Sequence, residues 1–247
     1  DGPPCILVVD DSRLQRKILC SSVKRWGFEV HKAGSGEEAL KIANEYAAVG
    51  VKDIVALRGD APKGSAGFAP KPNGFQNSIE LISALSDTGN FNIRVGAYPE
   101  KHPEATSQAA DIAYLKRKFD AGATGAITQF FFEADTYFRF RDACAAAGIT
   151  APIIPGILPI ENWDGVQRFA AQCGTHIPQV IAHGFRNATR DGTETLLATA
   201  LAAELCDDLL QGGVEHLHFY TLNRGTMTRN VLHALGYTAE RALQNVA

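Results

Sequence analysis

Acidic, basic and aromatic side chains collect at the ends of apolar runs in this chain. Arg58 and Asp60 follow the run Ile54–Leu57, Tyr98 and His102 end and follow Ile93–Tyr98, Gln129 lies in Gly125–Phe130, and Tyr220 and Arg224 end and follow His216–Tyr220. Asp111 and Lys118 stand in the helix-like stretch after Tyr98. Guanidinium and ammonium groups at such positions suit the oxygens of a pyrophosphate, and a carboxylate can orient the polar groups of a ring. The same residues can instead pair with one another as rim ion pairs, which requires no ligand. Asp10 and Asp11 offer hard oxygens of the kind magnesium prefers, or Asp11-Ser12 caps the following helix. His216 and His218 face one side of a strand at a spacing that can ligate metal; no third ligand is assigned, so packing histidines are expected and no metal site is. Gly64-Ser65-Ala66-Gly67 lacks the Lys-Ser/Thr of a phosphate-cradling loop and reads as a flexible lid.

The elements that must position these groups alternate. Apolar runs at Ile6–Val9, Glu29–Lys32, Ile54–Leu57, Ile93–Tyr98, Gly125–Phe130, Ile153–Ile157 and His216–Tyr220 read as strands covered on both faces. Amphipathic stretches at Ser12–Trp26, Gly36–Ala48, Asn77–Leu85, Ser107–Ala121, Asp135–Ala147, Trp163–Cys173, Thr193–Gln211 and Thr226–Ala234 read as helices between or after them. Strand followed by helix, repeated, is the pattern of parallel βα units. The Gly/Pro-rich stretch 60–76 follows a strand end, where α/β folds place ligand sites.

Composition narrows the function. The chain has 247 residues, 45% of them hydrophobic, enough to bury a sizeable core. A net charge of -3, with basic residues dispersed among acidic ones, gives no bulk attraction to nucleic acid. Five cysteines, none in a CxxC pair, point to neither a disulfide framework nor a thiolate zinc site. No run approaches the roughly 20 apolar residues of a membrane span. A cytoplasmic location is expected.

From about Ile42 to Gly236 the motifs ALRGD, AYPEKHPEA, DIAYLKRK, ITQFFF, PIIPGILPI and HLHFYTLNR occur in an order that resembles methylenetetrahydrofolate reductase. The resemblance implies a (β/α) barrel that binds FAD at its strand ends. A hydride then passes from NAD(P)H through the flavin to a folate substrate. It assigns Arg58, Asp60, Tyr98, His102, Asp111 and Lys118 to the cofactor and Gln129, Tyr220 and Arg224 to the folate. Asp60 and Gln129 are thereby the catalytic candidates, Asp60 as the carboxylate that tunes the flavin ring.

From Cys5 to Leu40 the run CILVVDDSRLQRKIL…SGEEAL resembles instead the start of a response-regulator receiver domain, a flavodoxin-like fold. That resemblance implies magnesium at Asp10 and Asp11, with Asp60 a candidate third carboxylate. The expected whole is one α/β domain over 1–247, a TIM-like barrel of about seven βα units. A receiver-like βαβ fragment over 1–41 is joined in it to a reductase-like fragment over 42–247. The reductase family's opening strand, with its general-acid Glu, has no counterpart before Ile42. The expectation is therefore a flavin-binding chimera with weak FAD affinity and impaired or lost reductase activity, or else a non-catalytic engineered scaffold. Seven strands leave an edge that favours a homodimer.

Overall fold

The computed structural model describes residues 5–9, 29–33, 36–57, 75–222 and 224–237, with backbone alone at 5–9, 29–33 and 36–37. The expected helix Ser12–Trp26, the acidic pair Asp10 and Asp11, most of the 60–76 loop with Arg58 and Asp60, and Gly64–Gly67 lie outside the described residues. The chain is α/β and divides into two compact units, residues 1–95 with 117–125, and residues 96–116 with 126–247.

In the first unit, β1 (Cys5–Val9) pairs in parallel with β2 (Glu29–Ala33), followed by α1 (Gly36–Ala48). Further along, β3 (Asp53–Ala56) pairs in parallel with β4 (Asn92–Ala97), in register from Asp53 opposite Asn92 to Ala56 opposite Val95. Side chains on a strand alternate faces, so Ile93 and Val95 are fully buried while Asn92 is exposed. Between those strands lies α2 (Ser78–Ser86), started by Asn77, whose side-chain oxygen accepts from the Ile79 and Glu80 N–H groups. Two N–H groups without intrahelical partners are satisfied in that way. Ile82 and Leu85, three apart, form its buried stripe.

The second unit takes over within β4 and continues through α3 (Gln108–Asp120) as far as Lys116. It then contains β5 (Gly125–Thr128) from Ala126, α4 (Ala134–Ala146), β6 (Ile153–Ile154), β7 (Gly156–Ile157), α5 (Trp163–Cys173), α6 (Gln179–Asp191), α7 (Glu194–Gln211), β8 (His218–Phe219) and α8 (Thr226–Ala234). β5 pairs with β6 and β7 with β8, both in parallel. Two apolar clusters fill this unit. Phe130 packs with Leu158, Ile160, Ile181 and Phe185, whereas its neighbour Phe131 packs with Tyr137, Ile157 and Leu209. Phe132 returns to the first cluster, so the three phenylalanines of ITQFFF serve alternate faces of an extended segment.

Three sequence expectations change. The run Ile153–Ile157 is two strands, because Pro155 between them has no N–H to give a ladder. The runs ending at Phe130 and Tyr220 stop at Thr128 and Phe219, and His216 lies before its strand. A helix not expected from sequence occupies Gln179–Asp191, with Ile181, Phe185 and Ala188 buried at helical spacing. Its Gly184 and β-branched residues lower helix propensity, and burial against the first cluster supplies what propensity lacks.

Candidate functional site

The site is built at the ends of β4, β5 and β8 in the second unit. Tyr98 follows the last residue of β4, and the imidazole of His102 meets its ring edge-on, with centroids 4.5 Å apart and planes at 84°. The intervening turn is held at several points. Asp111 in α3 accepts the His102 backbone N–H at 2.8 Å, and His102 Nδ1 accepts the Glu104 N–H at 3.0 Å. Gln108 donates to the Pro99 carbonyl at 2.7 Å, and the Lys101 ammonium donates to the Ala105 carbonyl at 2.7 Å. Lys101 itself has φ +137°, a sparsely populated conformation for a residue with a side chain.

Glu100 adds a further tie. Its two carboxylate oxygens accept the His176 backbone N–H at 3.0 and 3.1 Å. Burial pushes this carboxyl above the ordinary carboxylate range, and the hydrogen bond from His176 opposes that only in part.

A second group centres on Thr128, the last residue of β5 and fully buried. Its hydroxyl accepts the Gly156 N–H at 2.9 Å, and its carbonyl accepts the hydroxyl hydrogen of Tyr220 at 2.8 Å. Gly156 has no room for a side chain, since a Cβ there would fall on the Thr128 carbonyl oxygen. Burial pushes the Tyr220 hydroxyl up to about 12, and Tyr98 and Cys173 add to the push. His218 packs edge-on to Tyr220 at 4.9 Å, and burial lowers the pKa of its imidazole. Gln129 follows Thr128; its N–H donates to the Ala97 carbonyl at 2.7 Å and its side-chain oxygen accepts from Phe130 at 3.0 Å. This leaves the amide NH2 group as what Gln129 offers a ligand. Arg224 pairs with Glu161 at 3.3 Å with most of its side chain exposed.

Among the residues singled out from sequence, the second unit thus contains Tyr98, His102, Asp111, Gln129, Tyr220 and Arg224. Lys118 lies seven residues beyond Asp111 on α3, in the part assigned to the first unit. Arg224 is paired with Glu161, a residue not singled out from sequence, whereas Asp111 accepts from backbone. Sequence reading missed Thr128, Gly156, Glu100 and His176. Thr128 was visible as the one hydroxyl in an apolar strand, and Glu100 as the carboxylate inside AYPEKHPEA.

A profile of methylenetetrahydrofolate reductase matches residues 33–236. The match begins inside the receiver-like stretch, ahead of the boundary at Ile42. The chain is 44% identical over 201 residues to 5,10-methylenetetrahydrofolate reductase of Escherichia coli (strain K12), covering 81% of this chain and 66% of that protein. With methylenetetrahydrofolate reductase (NADH) 1 of Zea mays the identity is 36% over 204 residues, covering 77% and 34%. The chain spans 66% of the length of the bacterial relative. Among solved structures, an uncharacterized protein from Clostridium thermocellum described as binding two copies of 5-methyl-5,6,7,8-tetrahydrofolic acid superposes with TM-score 0.55 at 13% identity. That match covers 94% of this chain and 82% of that one, a likeness of fold. Chemotaxis protein CheY4 of Vibrio cholerae matches 57% of this chain at 20% identity with TM-score 0.32.

Proposed function

This chain belongs to the methylenetetrahydrofolate reductase family, and on that footing we propose that it binds FAD beside Tyr98, His102 and Asp111 and a folate beside Gln129, Tyr220 and Arg224. The observation that carries the reading is the Tyr98–His102–Asp111 arrangement at the end of β4. The donor set fits such a cofactor: a phenol and an imidazole on a braced backbone suit ribose hydroxyls and diphosphate oxygens. By the family motifs ALRGD and DIAYLKRK alone, Arg58, Asp60 and Lys118 are also proposed to bind FAD.

Bound FAD supplies hydride transfer between NAD(P)H and the folate. The chain's own residues bind and orient. Asp111 fixes the His102 backbone, and His102 in turn sets the edge of Tyr98. Tyr220 stays neutral through the physiological range and, anchored on Thr128, presents a fixed ring to the folate. The Gln129 amide offers donors to a heteroaromatic ring. Arg224 sits in an exposed pair worth little by itself, so its guanidinium exchanges Glu161 for a folate carboxylate at small cost.

In finer outline, the fold that fits this reading is a TIM-like barrel of about seven βα units with a receiver-like start, the product of recombination between two folds that share the βα unit. The glutamate general acid of the family's opening strand has no match in residues 1–41, and such an acid typically contributes about 10²–10⁴-fold in rate. On the proposal that residues 1–41 stand in place of that strand, reduction is slow. Assaying the FAD-loaded protein for methylenetetrahydrofolate reduction with NADH and with NADPH tests this. Turnover far below the usual enzyme value of about 10 per second supports impairment, and turnover at that value refutes it.

A further inference from the structure

We propose that Glu100 is a positioning residue that holds the Tyr98–His102 pair in register by clamping the backbone of His176. The clamp spans the Pro99–His102 turn, after β4, and the segment Gly174–His176, after α5, and both lie in the second unit. Both carboxylate oxygens receive one N–H, at 3.0 and 3.1 Å. A charge-assisted bond of that kind is stronger than a neutral one. The residue next to Glu100, Lys101, has φ +137°, and a side-chain-bearing residue keeps such a backbone only where its surroundings over-determine it. Glu100 fixes the turn before Lys101, and the Asp111 bond to the His102 N–H fixes it after. Gly174, in a left-handed conformation at φ +72°, ends α5 and turns the chain toward His176.

Packing alone does not account for a carboxylate here. Burial raises its pKa, so the charge is held against a desolvation penalty, with His176, Glu133 and Arg139 as the other charged groups acting on it. An apolar side chain would fill the same space without that penalty, but it would give the His176 N–H no protein acceptor and leave the turn free to relax. The chain keeps the acceptor where the His102 ring must be aimed. The link to cofactor rests on the proposed FAD reading; the clamp itself does not.

The test uses the full chain and the variants Glu100→Ala, Glu100→Asp and Glu100→Gln, with ring-labelled histidine. In the flavin-free protein the His102 ring signal, assigned with His102→Gln, carries the ring-current shift of Tyr98. Glu100→Ala and the shorter Glu100→Asp should lose that shift, while Glu100→Gln, which keeps one acceptor oxygen on the His176 N–H, should retain it. FAD titration should show about tenfold weaker binding for Ala and Asp, equivalent to about 1.4 kcal/mol, with Gln close to the parent. Should Glu100→Ala fail to fold, Glu100→Asp carries the comparison. An unchanged His102 signal in the Ala or Asp variant overturns the clamp, as does loss of the signal in the Gln variant alongside them. If the parent binds no FAD, the FAD reading fails while the ring signal still judges the clamp.

Discussion

Tyr220 donates its hydroxyl hydrogen to the backbone carbonyl of Thr128 at 2.8 Å, joining residues 92 apart in sequence. The same threonine accepts from Gly156 through its own hydroxyl, so one buried residue ties β5, β7 and the end of β8 together. Tyr220→Phe removes one of these bonds and should cost about 1 kcal/mol, read as a lower urea midpoint with unchanged slope. Its pH dependence has a definite sign. The folded-state pKa stands at about 12, above the ordinary 10.0. The neutral hydroxyl therefore contributes stability that is complete below pH 10.0 and lost as pH rises through about 12. Tyr220→Phe should flatten that alkaline loss, and an identical alkaline profile in both proteins would contradict the assignment.

Gly156→Ala should be far more damaging than its single methyl suggests. The added carbon meets a backbone oxygen of a buried strand, which cannot swing aside as a flexible side chain can. Overpacking of this kind typically costs about 1–3 kcal/mol. Chemical denaturation of the purified variant measures it, and a change within about 0.5 kcal/mol, the range of inert surface substitutions, would show that the strand ends can shift.

Asp111 acts on the site through the His102 backbone. Asp111→Ala should leave that N–H without its acceptor, at about 1.5–3 kcal/mol for a hydrogen bond to a charged group. FAD affinity should fall in parallel. Asp111→Asn preserves an acceptor oxygen and should recover most of the stability, as thermal melts of the three proteins would reveal.

Much of this site is legible in the amino-acid sequence. Tyr98, His102 and Asp111 come from two neighbouring motifs, with His102 and Asp111 only nine residues apart, and their meeting needs one strand end, one turn and the first turn of a helix. Local spacing suffices for that. Thr128, Gly156 and Tyr220 are distant in sequence, and their contacts depend on which strand ends come together, which periodicity does not report. The split at Pro155 is signalled by the proline, but an apolar run on both sides masks it. The helix Gln179–Asp191 shows the reverse failure: its buried Ile181, Phe185 and Ala188 follow helical spacing, yet Gly184 and the β-branched neighbours hide the pattern. Gly184 is tolerated because it faces the Leu197 side chain closely.

The three described cysteines should differ in reactivity. Burial pushes Cys144 and Cys206 up to about 12, so almost no thiolate exists at neutral pH. Cys173 is only half-buried. A maleimide added at pH 7.5 should label Cys173 well before the other two, as peptide mass mapping would show; early labelling of Cys144 or Cys206 would mean that the core opens readily.

The central claim is that the Tyr98, His102 and Asp111 arrangement is a flavin site. Titrating flavin-free protein with FAD and following flavin fluorescence tests it most directly, with His102→Ala beside the parent. The parent should bind FAD saturably, and His102→Ala should bind it about tenfold more weakly, which is about 1.4 kcal/mol. No binding by the parent at high micromolar flavin, or equal binding by both proteins, would contradict it.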